Sequence, residues 1–243
     1  MKILIISDVH GNYDALDCVM KNVRYDILLC CGDIAVDYPF PEQCINLLID
    51  NCAHICLGNS DYIISHNQKA SDYIGQRYAH LAEDLDRATE LTTGLISEDS
   101  MKYLRELPRE CRFALDGISF YMNHTGPRIS LHKYLNLNTP CSELYKYYKE
   151  IQADVIFTGH THIPYVKKIK DKIIVNPGSV GEPRDGDPRA SFATFDTVTG
   201  QVELGRLEYD ISETRQIIKE LGYPSYSLYC LENGFLPAAP VDA

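Results

Sequence analysis

Lys2-Ile3-Leu4-Ile5-Ile6-Ser7-Asp8-Val9-His10-Gly11 opens the chain with an apolar run that breaks into a carboxylate, an imidazole and a glycine. A short Ile/Leu-rich run of this kind reads as a first strand, Lys2 to Ile6. The pattern recurs twice. Residues 26–31 form a second apolar run ending in Gly32-Asp33, and residues 53–57 form a third ending in Gly58-Asn59-Ser60-Asp61. Helical spacing fills the gaps. Ala15, Leu16 and Val19 share one face of a helix expected over 12–21. Pro41 suits a first helical turn, and Ile45, Leu48 and Ile49 follow it. The β-α-β-α-β order predicts parallel strands joined by crossover helices.

Composition narrows what such a fold can serve. The chain has 243 residues, 45% of them hydrophobic, enough to fill a large core within one domain over 1–243. Its formal net charge of −11 argues against a stable nucleic-acid complex, which needs a basic face. Acidity does not exclude a small phosphorylated partner, because bound cations would reverse the local field. No apolar run reaches the roughly 18 residues of a membrane span. The start is too polar for a signal peptide, and nine cysteines without an export signal point to a reducing, cytoplasmic compartment. Cys30, Cys31, Cys52 and Cys56 lack zinc-site spacing and read as small buried hydrophobes.

Residues from about 62 to 107 change character: charged residues and Tyr rise, and no strand pattern is present. Helices are expected over 70–91 and 97–106, with Ser97 as N-cap, forming a helical lid insertion. Strands resume at 111–115 and 118–123 across Asp116-Gly117, a strong hairpin turn. A helix over 142–151 precedes strands at 154–158, 163–169 and 172–175. A further hairpin joins 190–196 to 201–207, and a last helix covers 212–221. Residues 222–243 contain three prolines and read as irregular.

Five motifs carry chemistry, most of them where a strand ends: Asp8-Val9-His10, Gly32-Asp33, Gly58-Asn59-Ser60-Asp61, Asn123-His124 and Gly159-His160-Thr161-His162. Ligand sites of open α/β sheets gather beyond the carboxyl ends of parallel strands. On an extended segment, the i, i+2 pairs Asp8/His10 and His160/His162 would each point to one side. Taken singly, an Asp beside a turn caps it and a lone His packs. Together, carboxylate, amide and imidazole without thiolate suit divalent cations such as Mn, Fe or Zn.

In this set the sequence resembles the calcineurin-like metallophosphoesterase superfamily, whose pattern is Asp-x-His, Gly-Asp, Gly-Asn-His-Asp/Glu, a lone His and Gly-His-x-His. The likeness spans about residues 1–196. It is nearest the small bacterial and archaeal phosphodiesterase branch, which also carries Asn176-Pro177-Gly178-Ser179-Val180-Gly181 followed by Pro183-Arg184. The resemblance implies a four-layer α/β/β/α sandwich of two mixed sheets. It implies that Asp8, His10 and His162 hold one metal ion, that Asn59, His124 and His160 hold a second, and that Asp33 bridges them. Asp33, Asn59 and His124 would then be catalytic. The implied activity is a two-metal phosphoesterase using metal-activated hydroxide for in-line attack on a phosphodiester or a dinucleoside polyphosphate. A phosphomonoesterase acting on proteins or small molecules and a non-catalytic scaffold are the alternatives, the scaffold disfavoured because all seven ligands are present. Ser60 departs from the family, standing where a proton-donating His is usual, and Asp61 is left without a catalytic role. Arg128 and Arg184 are candidate phosphate clamps. Tyr62, Tyr73 and Tyr78 could stack on a nucleobase or simply pack, while His54, His66, His80 and His132 read as structural.

Overall fold

The computed structural model describes residues 1–238. Its strands and helices follow in order: β1 (Lys2–Ile6), α1 (Tyr13–Asn22), β2 (Ile27–Cys30), α2 (Pro41–Asn51), β3 (Cys52–Ile55), α3 (Asn59–Ser65), α4 (Ala82–Thr93), α5 (Glu98–Glu106), β4 (Glu110–Leu115) and β5 (Ile118–Asn123). Then come α6 (Cys141–Tyr148), β6 (Val155–Phe157), β7 (Tyr165–Ile169), β8 (Lys172–Asn176), β9 (Ala190–Asp196), β10 (Val202–Leu207), α7 (Ser212–Leu221) and α8 (Ser225–Asn233).

β1 pairs in parallel with β2, Ile3 opposite Ile27 and Ile6 opposite Cys30, and β2 pairs in parallel with β3. β9 closes the other side of β1 antiparallel, giving the order β10-β9-β1-β2-β3. The second mixed sheet runs β4-β5-β6-β8-β7. Alternation along β1 then dictates the layers. Ile3 and Ile5 face Phe120, Met122, Phe157 and Phe195 between the sheets. Leu4 and Ile6 face outward onto Ala15, Leu16 and Val19 of α1 and Ile45 and Leu48 of α2. The far face of the second sheet presents Tyr121, Ile156 and Ile174 to Leu144 and Tyr148 of α6. The molecule is thus a helix/sheet/sheet/helix sandwich, and the buried rows of β1 explain its continuous apolar sequence. No helix of the described residues is long and apolar enough to cross a membrane.

The structure departs from the sequence expectation in three helices. The helix expected over 70–91 is interrupted: two 3-10 segments, Ala70–Asp72 and Gln76–Leu81, precede α4. Gly75 lies between them, and its backbone entropy disfavours a continuous helix. α3 was not anticipated because it begins inside the Gly58-Asn59-Ser60-Asp61 motif, where the Asp61 side chain at the third helical position accepts the N–H of Gly58 at 3.1 Å. The C-terminal stretch is not irregular: α8 starts after Pro224 and buries Tyr226, Cys230 and Leu231. Pro224 and Pro237 flank this helix rather than interrupt it, and Pro240 lies outside the described residues. α8 packs with α7 and with α4 through Tyr38, Leu81, Ala88, Ile218 and Tyr223, so the chain between β3 and β4 rests on the C-terminal helices.

Phe120 lies at the middle of this design, its ring 5.1 Å from Phe113, 5.6 Å from Phe157 and 5.5 Å from Phe195. Phe120→Ala is expected to destabilise the protein by about 3–5 kcal/mol in urea unfolding. Val198→Ser, at a hairpin position 85% exposed, should leave the midpoint unchanged.

Candidate metal centre

All seven anticipated ligand residues converge at one rim. Asp8 and His10 follow β1, Asp33 follows β2, Asn59 begins α3, His124 follows β5, and His160 and His162 follow β6. His10 Nε2 is 3.2 Å from His162 Nε2 and 3.7 Å from Asp33 Oδ2. His162 Nε2 is 3.3 Å from Asp8 Oδ1. On the other side, His124 Nε2 is 3.2 Å from Asp33 Oδ2 and 3.1 Å from Asn59 Oδ1. Two ligand groups result, Asp8/His10/Asp33/His162 and Asp33/His124/His160, and Asp33 belongs to both.

The convergence is not achieved on extended backbone. Asp8, His10, Asp33, His160 and His162 have φ of 55°, 54°, 57°, 68° and 58°. The expectation that each i, i+2 pair lies on an extended segment is therefore corrected: left-handed turns aim these side chains. Such a conformation costs a non-glycine residue of order 1 kcal/mol or more and persists only when surroundings enforce it. Here the loops enforce it mutually. Asp8 N donates to Gly32 O at 2.9 Å, Val9 N and His10 N to Asp33 O at 2.7 and 3.0 Å, and Gly11 N to Ile34 O at 2.7 Å. His160 N donates to the Asp8 carboxylate at 3.0 Å. Gly58 and Gly159 permit the close approach: a Cβ there would lie 2.0 Å from Asp33 Oδ1 and 1.9 Å from Ser7 Oγ.

Asp61 finds its role in this lacing. Its carboxylate accepts the N–H groups of Asp33 (2.8 Å), Ile34 (2.9 Å), Ala35 (3.2 Å) and Gly58 (3.1 Å), joining the loop after β2 to the start of α3. Burial and the charge of Asp33 push its pKa up to about 6 despite these donors. Ser60 donates to Asp33 through both its N–H (2.7 Å) and its hydroxyl (3.1 Å).

A further layer, which the sequence reading missed, orients the imidazoles. Asp37 Oδ2 is 2.9 Å from His10 Nδ1, Cys31 O is 2.9 Å from His124 Nδ1, and Glu182 O bonds His162 Nδ1. With Nδ1 engaged by acceptors, each ring directs Nε2 to the cluster. Burial opposes charge on His10, but Asp37 lifts its pKa to about 10; burial likewise opposes charge on His124, but Asp33 lifts it to about 9. Burial holds both His160 and His162 well below the ordinary imidazole value, helped by His124 and Arg184 at His160 and by Arg184 and His10 at His162. His10, Asp37 and Glu182 also form a third acidic group, but Arg184 Nη2 sits 2.6 Å from Glu182 Oε2 and balances its charge.

The donor set fits cations. Two carboxylates and four imidazoles are packed together, and His160 Nε2 is buried with no hydrogen-bond partner among the described residues. An orphaned buried acceptor of this kind is costly unless something binds it.

Above the cluster lies a cavity of about 560 Å³, floored by Asp33, Asn59, Ser60, His160 and Arg184. Tyr73, Ile74, Tyr78, Leu81 and Leu85 from the segment between β3 and β4 form one wall, and His132 and Tyr134 another. Arg184 therefore reaches the site, though committed to Glu182. Arg128 does not: its side chain is 78% exposed and pairs with Glu150 at 2.5 Å, away from the cavity, so a clamp role is withdrawn. Tyr62 also stands outside, stacked on His66 with ring centroids 4.2 Å apart. His132, read from sequence as structural, is a wall residue; nothing in its sequence surroundings marked it.

Residues 1–200 match the family described as the calcineurin-like phosphoesterase superfamily domain. An uncharacterized protein of Methanocaldococcus jannaschii is 29% identical over 244 residues, covering 92% of this chain and 94% of its own. A probable metallophosphoesterase of Mycoplasma pneumoniae is 22% identical, covering 83% of this chain and 92% of its own. The crystal structure of a metallophosphoesterase from Sphaerobacter thermophilus superposes with a TM-score of 0.80 at 28% identity, covering 96% of this chain and 99% of that one.

Asp61→Ala is expected to cost about 3 kcal/mol or more in equilibrium denaturation, because buried N–H groups lose their acceptor. Asp61→Asn, which keeps one carbonyl oxygen, should lose less.

Proposed function

Because the chain belongs to the calcineurin-like phosphoesterase superfamily and is a metal-dependent phosphoester hydrolase, we propose that it hydrolyses a phosphodiester or a nucleotide polyphosphate at a centre for two cations. The observation that carries this reading is the sharing of Asp33 by two buried ligand groups beneath a cavity of about 560 Å³. Asp8, His10, His162 and Asp33 would hold one cation; Asn59, His124, His160 and Asp33 the other. The oxygen and nitrogen donors, with no thiolate, suit Mn, Fe or Zn. When bound, such a pair supplies Lewis-acid chemistry, lowering the pKa of water towards neutrality and offsetting charge on phosphoryl oxygens.

The chain's own residues prepare that chemistry. Asp37 and the carbonyls of Cys31 and Glu182 lock three imidazoles in one orientation, so no ring reorganises during reaction. Ser60 holds the Asp33 carboxylate from the cavity side. Arg184, fixed by Glu182, places a permanent positive charge on the floor where phosphoryl oxygens would lie. The wall formed by Tyr73, Tyr78 and Leu85 sets aromatic and apolar side chains beside the cluster where a base or aryl group could pack, which makes the segment over 62–107 the candidate lid. A diester carries two organic groups, so one can lie on this wall while the other departs; a monoester carries only the group that departs.

Metal-stripped protein reloaded with manganese should hydrolyse bis-p-nitrophenyl phosphate or dinucleoside polyphosphates at least about tenfold faster than p-nitrophenyl phosphate, from the additional wall contacts. The reverse preference would establish a monoesterase instead. Asp33→Asn should lower kcat/KM by roughly 100-fold or more and reduce bound manganese measured by atomic emission.

A further inference from the structure

Expulsion of an alkoxide or phenoxide from phosphorus is slow unless its oxygen receives a proton as the P–O bond breaks. Most ionisable groups lining the cavity are otherwise committed. His10 and His162 engage Asp37 and Glu182 through Nδ1 and face each other through Nε2. The hydroxyl of Ser60 donates to Asp33, that of Tyr73 donates to Gln68 at 3.2 Å, and Arg184 is bound to Glu182. His132 differs. It is half-buried in the wall, and its ring nitrogens make no hydrogen bond among the described residues. Tyr73 holds the ring plane, stacked with centroids 4.1 Å apart and 21° between planes. It lines the same cavity as Asp33, and besides burial the charges that act on it are those of Asp33, His124 and Arg109.

Resting on the phosphodiesterase reading above, we propose that His132 is the general acid that protonates the leaving-group oxygen. The oxygen of the attacking water forms the new P–O bond. The P–O bond to the leaving group breaks, its electron pair stays on the departing oxygen, and the His132 N–H proton passes to that oxygen. The proton lost by the water returns to the imidazole through solvent, so the net change is addition of one water. Burial lowers the pKa of His132, so its protonated, proton-donating form is populated on the acid side of neutrality. The Tyr73–His132 stack joins the loop between β5 and α6 to the segment between β3 and β4 at the cavity.

The test uses full-length, manganese-loaded enzyme with aryl phosphodiesters whose leaving groups run from p-nitrophenol to phenol, with manganese content measured for every variant. His132→Gln should change the p-nitrophenyl rate by no more than about threefold while slowing the phenyl ester by roughly 100-fold or more, with metal content unchanged. An equal loss across the series, or no loss, overturns the assignment. So does a leaving-group-dependent loss in Tyr78→Phe or Tyr134→Phe that His132→Gln lacks. If metal-loaded wild type hydrolyses none of the diesters, the phosphodiesterase reading fails first and the acid assignment falls with it; if wild type is active and the His132→Gln profile stays parallel, only the acid assignment fails.

Discussion

The Asp33 carboxylate is the point on which the molecule turns. It is buried, it belongs to both ligand groups, and it takes two hydrogen bonds from Ser60. A second carboxylate, Asp8, is buried in the same cluster, and burial raises its pKa. Charges of one sign placed together in a low-dielectric interior repel and lose their hydration. The imidazoles of His10 and His124 supply part of the compensation, while His160 and His162 are held neutral. The remainder is what a cation-binding protein leaves for its cations. The core layers make this possible, since two sheets stacked on Phe120, Phe157 and Phe195 bring their strand ends to one buried rim.

Geometry is bought with backbone strain. Five of the converging side chains sit on residues with positive φ, and the loops that carry them are tied to one another rather than to solvent. Asp61 is the main tie, with four N–H groups on one carboxylate. Such pre-set turns fix ligand positions before any substrate arrives, as electrostatic preorganisation requires.

The site also depends on chain that is remote in sequence. Tyr226 of α8 donates its hydroxyl to Asp37, which in turn holds His10. The segment between β3 and β4 leans on α7 and α8 through Tyr223 and Leu231 while its other side walls the cavity. The C-terminal helices therefore support the cluster from behind and the cavity wall from the side.

Much was legible in residues 1–61 alone. Apolar runs, crossover helices and the punctuation Asp8-Val9-His10, Gly32-Asp33 and Gly58-Asn59-Ser60-Asp61 set the parallel core and the candidate ligands, because strand burial and turn chemistry are local properties. The same locality failed at α8, where prolines that bound a helix were read as breaking a segment, and at Arg128, whose partner Glu150 is distant in sequence. Asp37, Glu182, Tyr226 and His132 carry no local signature. Their placement comes from packing between elements far apart in the chain, so only the tertiary structure decided which acceptor orients each imidazole and which ring faces the cavity.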